Sequence, residues 1–244
     1  MSVYKSYWWK VLCVICLTYV FIAGFLFDVP AKPILNETIR NLYFHVPMWF
    51  TMITLQGISI YYSIRFLNKK DVKDDLLDLS YSVSILKQKD VKYDLFAVNY
   101  VGTSIGFGLL GFVTGMLWAK FTWGDWIVND PKIIGSFIAL LIYLPFLVLR
   151  VFIPEKEQRA TISAVYNIFA FTMGVILIFI IPRMTDSLHP GNGGNPGMNI
   201  YDVDNNLRMV FYPAVIGWIC LGIWIASLRY RVDIIKAKRN EELD

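Results

Sequence analysis

Six long stretches of this 244-residue chain contain no Asp, Glu, Lys or Arg, and this uneven charge distribution constrains the fold most. They are 17 to 25 residues long and cover 11–27, 41–64, 95–119, 133–149, 160–182 and 209–228. A helix of about 20 apolar residues crosses the ~30 Å hydrocarbon layer of a bilayer. The pattern excludes a soluble enzyme, and unbroken apolar runs differ from the alternation of a β-barrel.

We predict an all-α integral membrane protein, a six-transmembrane helix bundle that forms a single domain over residues 1–244. The expected spans are approximately 9–27, 43–66, 95–118, 133–152, 161–182 and 209–228. Residues 29–31 resemble a signal-peptide cleavage site. The preceding apolar run is longer than the usual apolar region of such a peptide, so we interpret the first span as an uncleaved anchor.

The distribution of basic residues predicts the orientation of the bundle. Of 23 Lys and Arg residues, 17 lie in the N-terminus, in 65–94, in 150–159 and in the C-terminus. Basic residues concentrate on the cytoplasmic side of a membrane, so we predict both termini to be cytoplasmic (N-in/C-in). A Trp-rich loop at 119–132 and a loop at 183–208 then face outward. The basic residues follow the topology, and we expect no nucleic-acid partner.

The only two histidines, His45 and His189, are both expected on the outward side. Zinc requires three or four ligands from a protein, whereas haem iron requires only axial ligands because the porphyrin supplies four nitrogens. The pair therefore favours haem over a bare metal ion. Two unrelated interfacial histidines remain the alternative interpretation.

Aromatic residues lie close to these histidines in the predicted topology. Trp118, Trp123 and Trp126 cluster in and just before the loop 119–132, where they can offer an apolar shelf to a porphyrin. If the middle of that loop is helical, Trp123 and Trp126 share one face. An aromatic belt that anchors helix ends at the lipid headgroups is the alternative.

Three short motifs, in order, resemble those of the WWD-motif haem-handling superfamily. The segment W-G-x-W over 123–126, followed by Asp130, resembles the tryptophan-rich motif itself. The segment Y-F-H-V-P over 43–47 resembles the histidine-valine-proline element, and S-L-H over 187–189 the threonine-leucine-histidine element. Six spans and this length are most similar to the cytochrome c maturation protein C (CcmC) family. The chain departs from the family motif at Ile127 and Asn129, where aromatic residues are usual.

The resemblance implies that non-covalent haem b is bound at an outward site and passed to a membrane-tethered haem chaperone (CcmE-like). A small single-span protein (CcmD-like) and an ABC module (CcmA–CcmB-like) are further implied partners, in a bacterial inner membrane. His45 and His189 are then the expected axial ligands. Arg40 and Arg183 lie in outward segments and are candidate partners for haem propionates, or solvated span ends. Asp130 is expected to orient the Trp-rich loop, to engage the chaperone, or to form a turn before Pro131.

Two other functional classes remain open at this stage, and we expect no enzyme activity under the leading hypothesis. One is a membrane b-type cytochrome or quinone-linked oxidoreductase, which typically places its histidines at mid-bilayer depth. The other is a transporter permease subunit, whose pathway tends to expose ionisable groups inside spans. The six stretches contain none of Asp, Glu, Lys or Arg, which weighs against a permease.

Overall fold

The computed structural model describes residues 7–30, 35–68, 89–189 and 203–243, and all regular elements in these ranges are helical. The long helices are α1 (Trp8–Leu26), α2 (Leu42–Leu67), α3 (Lys89–Trp123), α4 (Pro131–Phe152) and α5 (Lys156–Val175). A 3-10 helix, Asn36–Asn41, precedes α2. A π-helical turn, Ile176–Ile180, joins α5 to the short α6 (Ile181–Met184), and α7 (Asn205–Leu243) completes the chain.

Five helical segments are long and apolar enough to cross a membrane, which confirms the prediction of an all-α membrane protein with several spans. They are Trp8–Leu26, Lys92–Trp123, Pro131–Phe152, Lys156–Met184 and Asn205–Ala237. The 26-residue α2 is not among the five, because polar residues lower its hydropathy. A sixth crossing by α2 and the N-in/C-in orientation therefore stay predictions.

Four polar residues of α2 face protein rather than the surface, because this helix packs against α3, α5 and α7 at the centre of the bundle, whereas Arg65 near its C-terminus is exposed. Thr51, Gln56, Ser59 and Ser63 are all buried. The Asn167 amide of α5 donates hydrogen bonds to the hydroxyl oxygens of Ser59 and Ser63, at 2.8 and 3.0 Å. Hydrogen bonds between helices compensate polar groups in an apolar environment, so α2 needs less hydropathy than its neighbours.

Two helices extend well beyond the predicted spans, which corrects the expected loop boundaries. Helix α3 continues past residue 118 to Trp123, and α7 continues past residue 228 to Leu243. Charged residues mark the edge of an apolar run but do not end a helix, since Lys and Arg are good helix formers. The described loop after α3 therefore covers only residues 124–130, not 119–132. Of the predicted loop 183–208, residues 190–202 lie outside the described ranges.

The π-helical turn between α5 and α6 precedes Pro182, which has no backbone N–H to continue an α-helical ladder. Such turns occur as single-turn insertions within helices. The backbone of α4 approaches this turn closely at Gly135, where a Cβ atom would collide with the Leu177 carbonyl oxygen. This close approach brings the N-terminus of α4 beside the segment that leads to His189.

Candidate functional site

The Asp130 carboxylate holds the segment 187–189 in place. Its Oδ2 atom accepts hydrogen bonds from the Ser187 hydroxyl at 2.8 Å and from the Leu188 backbone N–H at 2.7 Å. Its Oδ1 atom lies 3.0 Å from Nδ1 of His189. The Asp130 side chain is only 1% exposed, whereas that of His189 is 26% exposed. A buried carboxylate therefore fixes the orientation of a histidine ring whose other edge is accessible.

The same carboxylate also caps the N-terminus of α4. Asp130 is the N-cap residue, and its Oδ1 accepts from the backbone N–H groups of Lys132 at 2.9 Å and Ile133 at 3.4 Å. Pro131 occupies the first helical turn, where its missing N–H costs no hydrogen bond. In the structure Asp130 caps α4 and holds the segment 187–189, whereas the sequence suggested the Trp-rich loop, the chaperone or a turn before Pro131 as its partner; these roles stay predictions.

Burial alone would raise the pKa of Asp130, but its hydrogen-bond donors outweigh that effect. The hydrogen bond and charge of His189, the Leu188 N–H and the Ser187 hydroxyl all favour the ionised carboxylate. The pKa of Asp130 consequently lies well below its ordinary value. The lowered pKa favours the ionised carboxylate, which can act as an acceptor for His189.

His45 lies in the first turn of α2 and is oriented by α3. Its Nδ1 atom is 2.9 Å from the Gly111 carbonyl oxygen and 3.3 Å from the Thr114 hydroxyl. Gly115 leaves the space for the ring, since a Cβ there would come within 2.6 Å of the His45 Cε1 atom. Gly111, four residues earlier on α3, leaves space for Trp49 in the same way, so only Gly115 accommodates the imidazole.

In both histidines the Nδ1 atom acts as a hydrogen-bond donor. A carbonyl oxygen can only accept, so Nδ1 of His45 donates to Gly111. An ionised carboxylate can only accept as well, so Nδ1 of His189 donates to Asp130. In the neutral form of each ring, Nε2 then carries the lone pair. This is the arrangement found around histidines that bind metals, where a second hydrogen bond fixes the tautomer.

Two of the three predicted tryptophans contact the histidines. The Trp118 ring lies 5.8 Å from the His45 ring, edge to face, and its indole N–H donates to the Thr38 hydroxyl at 3.2 Å. The Trp123 ring lies 5.1 Å from the His189 ring. Since five residues of a helix span about 7.5 Å, α3 brings both histidines to the same end of the bundle.

Trp126 does not share a helical face with Trp123, because the condition for that expectation fails. Helix α3 ends at Trp123, and Gly124 turns the chain with a φ of 91°, which favours glycine. Residues 124–130 are non-helical, and Trp126 is 51% exposed. An outward-pointing indole in this loop is free to contact a ligand or a partner protein.

The two arginines predicted as propionate partners occupy different surroundings. The Arg40 guanidinium donates to the Gly24 and Phe27 carbonyl oxygens at 2.8 and 2.7 Å, and to Glu37 at 2.7 Å. It therefore caps the C-terminus of α1, a role that the sequence did not indicate. Arg183 is exposed in α6. Neither residue touches His45 or His189 through any hydrogen bond between described residues.

The part of the chain that contains both histidines matches a known protein family. The family model described as cytochrome C assembly protein matches residues 9–189, from α1 to the Asp130-bound histidine. The chain belongs to the cytochrome c assembly protein family. This confirms the resemblance that the three motifs indicated.

Individual relatives narrow the placement within the cytochrome c assembly family. The chain is 27% identical to "Heme exporter protein C" of Haemophilus influenzae over 140 residues, which are 54% of each protein. It is 34% identical over 74 residues to "Cytochrome c biogenesis protein CcsA" of two Prochlorococcus marinus strains, which covers 30% of this chain and 24% of theirs. The chain thus matches about half the length of the first relative and a quarter of the second.

Sequence reasoning missed the groups that orient the histidines. Ser187 donates to Asp130, and its oxygen also accepts from the His189 backbone N–H at 3.1 Å. A serine two residues before a histidine is the signal for such a local turn. Thr114 and the Gly111 carbonyl gave no such signal, because their partner is 66 to 69 residues away.

Proposed function

We propose that this protein binds haem b non-covalently on its outward side and hands it to a haem chaperone during cytochrome c maturation. His45 and His189 are the axial ligands of the haem iron in this proposal. The observation that carries it is that both Nδ1–H groups are taken by fixed acceptors, Gly111 and Asp130. Both Nε2 atoms are thereby prepared to bind iron, and no catalytic step is assigned to the protein.

The surroundings of the histidines fit a flat, largely apolar cargo. Trp118 and Trp123 lie against the imidazoles and present aromatic surface at the same end of α3. Trp126 and Ile127 are exposed in the loop that follows. Fully burying one large apolar side chain contributes about 1.5–3 kcal/mol of free energy. A few such contacts with the porphyrin ring would therefore hold it in place, and the histidines would bind its iron. We propose Arg183 as a partner of a haem propionate, because it is exposed in α6 just before the segment that contains His189.

Family membership supports the delivery part of the proposal. The matched relatives are named for haem export and for cytochrome c biogenesis. We propose a CcmE-like chaperone as the recipient, and CcmD-like and CcmA–CcmB-like proteins as partners. We place the protein in a bacterial inner membrane with six spans, α2 included, and both termini in the cytoplasm. Because α3, α5 and α7 pack against α2, a crossing by this helix keeps Thr51, Gln56, Ser59 and Ser63 away from lipid.

Absorption spectroscopy of the purified protein, reconstituted with haem, tests the proposal. We expect a Soret band and the low-spin spectrum of iron with two axial imidazoles. His45→Ala and His189→Ala should each convert the iron to five-coordinate or lose the haem. Free imidazole should partly restore the six-coordinate spectrum, because it refills the space that the missing side chain leaves.

Three outcomes would contradict the proposal. If both single variants keep the full low-spin spectrum, the histidines are interfacial residues without a ligand role. If the haem shows rapid quinone-dependent turnover, the protein is a b-type cytochrome. A protein that takes up no haem at all would favour the permease. Trp49→Phe serves as a control, because its ring also neighbours His45 but its replacement keeps an aromatic group.

A further inference from the structure

A groove lies between α3 and α7 at the end of the bundle opposite to the histidines. It has a volume of about 370 Å³ and is lined by Asn99 of α3 and by residues of α7 between Ile225 and Lys236. Asn99 precedes Trp123 by 24 residues of helix, a distance of about 36 Å. The topology predicted above places this groove at the cytoplasmic face of the membrane.

The groove carries two cations and one carboxylate. Arg229 and Lys236 are seven residues apart on α7 and share one face of the helix. Within the described ranges, no hydrogen bond or ion pair engages either of them. Asp233 lies between them, but its Oδ2 atom accepts a hydrogen bond from the Asn99 amide at 2.8 Å. The groove therefore has an excess of positive charge and uncommitted donors.

A glycine of α3 leaves space for one of these cations, Arg229. The guanidinium of Arg229 lies against Gly102, where a Cβ atom would come within 2.6 Å of its terminal nitrogen. The absence of a side chain at Gly102 leaves the space in which this guanidinium lies. The Arg229 side chain is exposed, and its contact with Gly102 brings the guanidinium to the wall of the groove.

Apolar side chains continue the groove toward the membrane. Ile225, Leu228 and Val232 line it together with the cations and are 37, 46 and 49% exposed. A soluble anion gains nothing from this wall. A phospholipid matches both parts, because its phosphate can meet the cations while an acyl chain lies along the apolar residues. Basic residues near the cytoplasmic surface attract anionic lipids specifically.

We propose that this groove binds the phosphate group of an anionic phospholipid, with Arg229 and Lys236 as its ligands and Leu228 and Val232 against an acyl chain. The site is distinct from the proposed haem site and does not depend on it. Asn99 is a positioning residue, since it holds the Asp233 carboxylate and keeps it from pairing with the cations.

Native mass spectrometry of the full chain in detergent, titrated with phosphatidylglycerol or phosphatidylcholine, tests this site. We expect a retained phosphatidylglycerol that phosphatidylcholine does not replace. Arg229→Gln with Lys236→Gln should weaken its binding by about tenfold or more, since each basic residue contributes on the order of a factor of five. The matched control is Arg65→Gln with Lys156→Gln, which removes the same charge from exposed positions on α2 and α5, away from the groove but on the predicted cytoplasmic side.

Gly102→Ala provides a second variant that leaves every charge in place. It should weaken phosphatidylglycerol binding by displacing Arg229, whereas Gly106→Ala should not, because nothing lies within 4 Å of a Cβ at that position. Equal losses in the double variant and its control would overturn the proposal, as would equal binding of the two lipids. Displacement of the lipid by millimolar inorganic phosphate would also overturn it, and would identify a site for a soluble anion instead.

Discussion

At the scale of single residues, Asp130 joins two parts of the chain that are far apart in sequence. One oxygen caps α4 and faces His189, and the other holds Ser187 and Leu188. Both Asp130 and His189 could be identified as candidate site residues from the sequence, because each belongs to one of the three motifs. Their contact was not, because 59 residues separate them and only the packed helices bring them together.

Replacing Asp130 by Asn should separate its role toward His189 from its role as a helix cap. Asn is also a good N-cap, so α4 should still begin at Pro131. An uncharged amide is a weaker acceptor for the His189 Nδ1–H, and we expect haem affinity to fall about tenfold or more. Titration of the apoprotein with haem, with a shifted spectrum as a second readout, measures the effect.

Glu155→Gln is the matched control for that variant. Glu155 caps α5 in the same way, by accepting from the Glu157 and Gln158 backbone N–H groups, but it has no histidine partner. We expect unchanged haem affinity in this variant. An equal loss in both variants would show that helix capping, rather than the histidine contact, accounts for the effect.

The lowered pKa of Asp130 predicts how its contribution to stability depends on pH. A carboxyl whose pKa is lower in the folded protein stabilises it fully above the ordinary value of about 3.9, and less as the pH falls below that value. The difference in apparent Tm between the wild type and Asp130→Asn should therefore narrow as the pH falls below about 4. Thermal unfolding in detergent measures it. A difference that does not narrow below about pH 4 would mean that the fold does not lower the pKa of Asp130.

At the scale of helices, α3 organises the candidate site. It supplies the Gly111 carbonyl and the space at Gly115 for His45, and then Trp118 and Trp123 for the two imidazoles. The sequence of α3 contains five glycines, but the sequence alone does not indicate which of them face a neighbouring helix. A Cβ atom at Gly106 would meet nothing within 4 Å, unlike one at Gly115. Only the rotation of α3 against α2 distinguishes these positions.

Gly115→Ala should disturb the proposed iron site while leaving the bundle intact. The new methyl group would collide with the His45 ring, and such overpacking costs about 1–3 kcal/mol. We expect haem affinity roughly fivefold lower or worse. Gly106→Ala should bind haem like the wild type. If both variants behave alike, the imidazole of His45 does not depend on its packing against α3.

At the scale of the whole molecule, the apolar stretches predicted the helical architecture well and the helix ends poorly. Each stretch is helical over nearly all its length, yet α3 and α7 continue through charged residues that end the stretches. The hydropathy of a segment indicates whether lipid, protein or water surrounds it, but it does not indicate the residue at which the helix ends. The same reasoning explains α2, whose surroundings are mostly other helices.

Reporter fusions test the orientation of the bundle. Fusions after residues 35, 125 and 195 should report an outward location, and fusions near 80, 155 and 240 a cytoplasmic one, because basic residues concentrate in the second group. The fusion pair at 35 and 80 also tests whether α2 crosses the membrane. A cytoplasmic signal from the fusion at 125 would separate the Trp loop from the outward face and contradict the proposed site.

The π-helical turn before α6 absorbs one residue of the chain between α5 and His189. A π turn contains one residue more than the α-helical turn that it interrupts. Deleting a single residue from Ile176–Ile180 would restore α-helical geometry without rotating the chain that follows, so Ser187 and His189 should still meet Asp130. Deleting a residue from the regular part of α5 would instead rotate that chain by about 100° around the helix axis and turn both residues away. Among homologous chains, this turn can therefore vary by one residue, whereas a length change within α5 would have to be matched by a second one before the histidine.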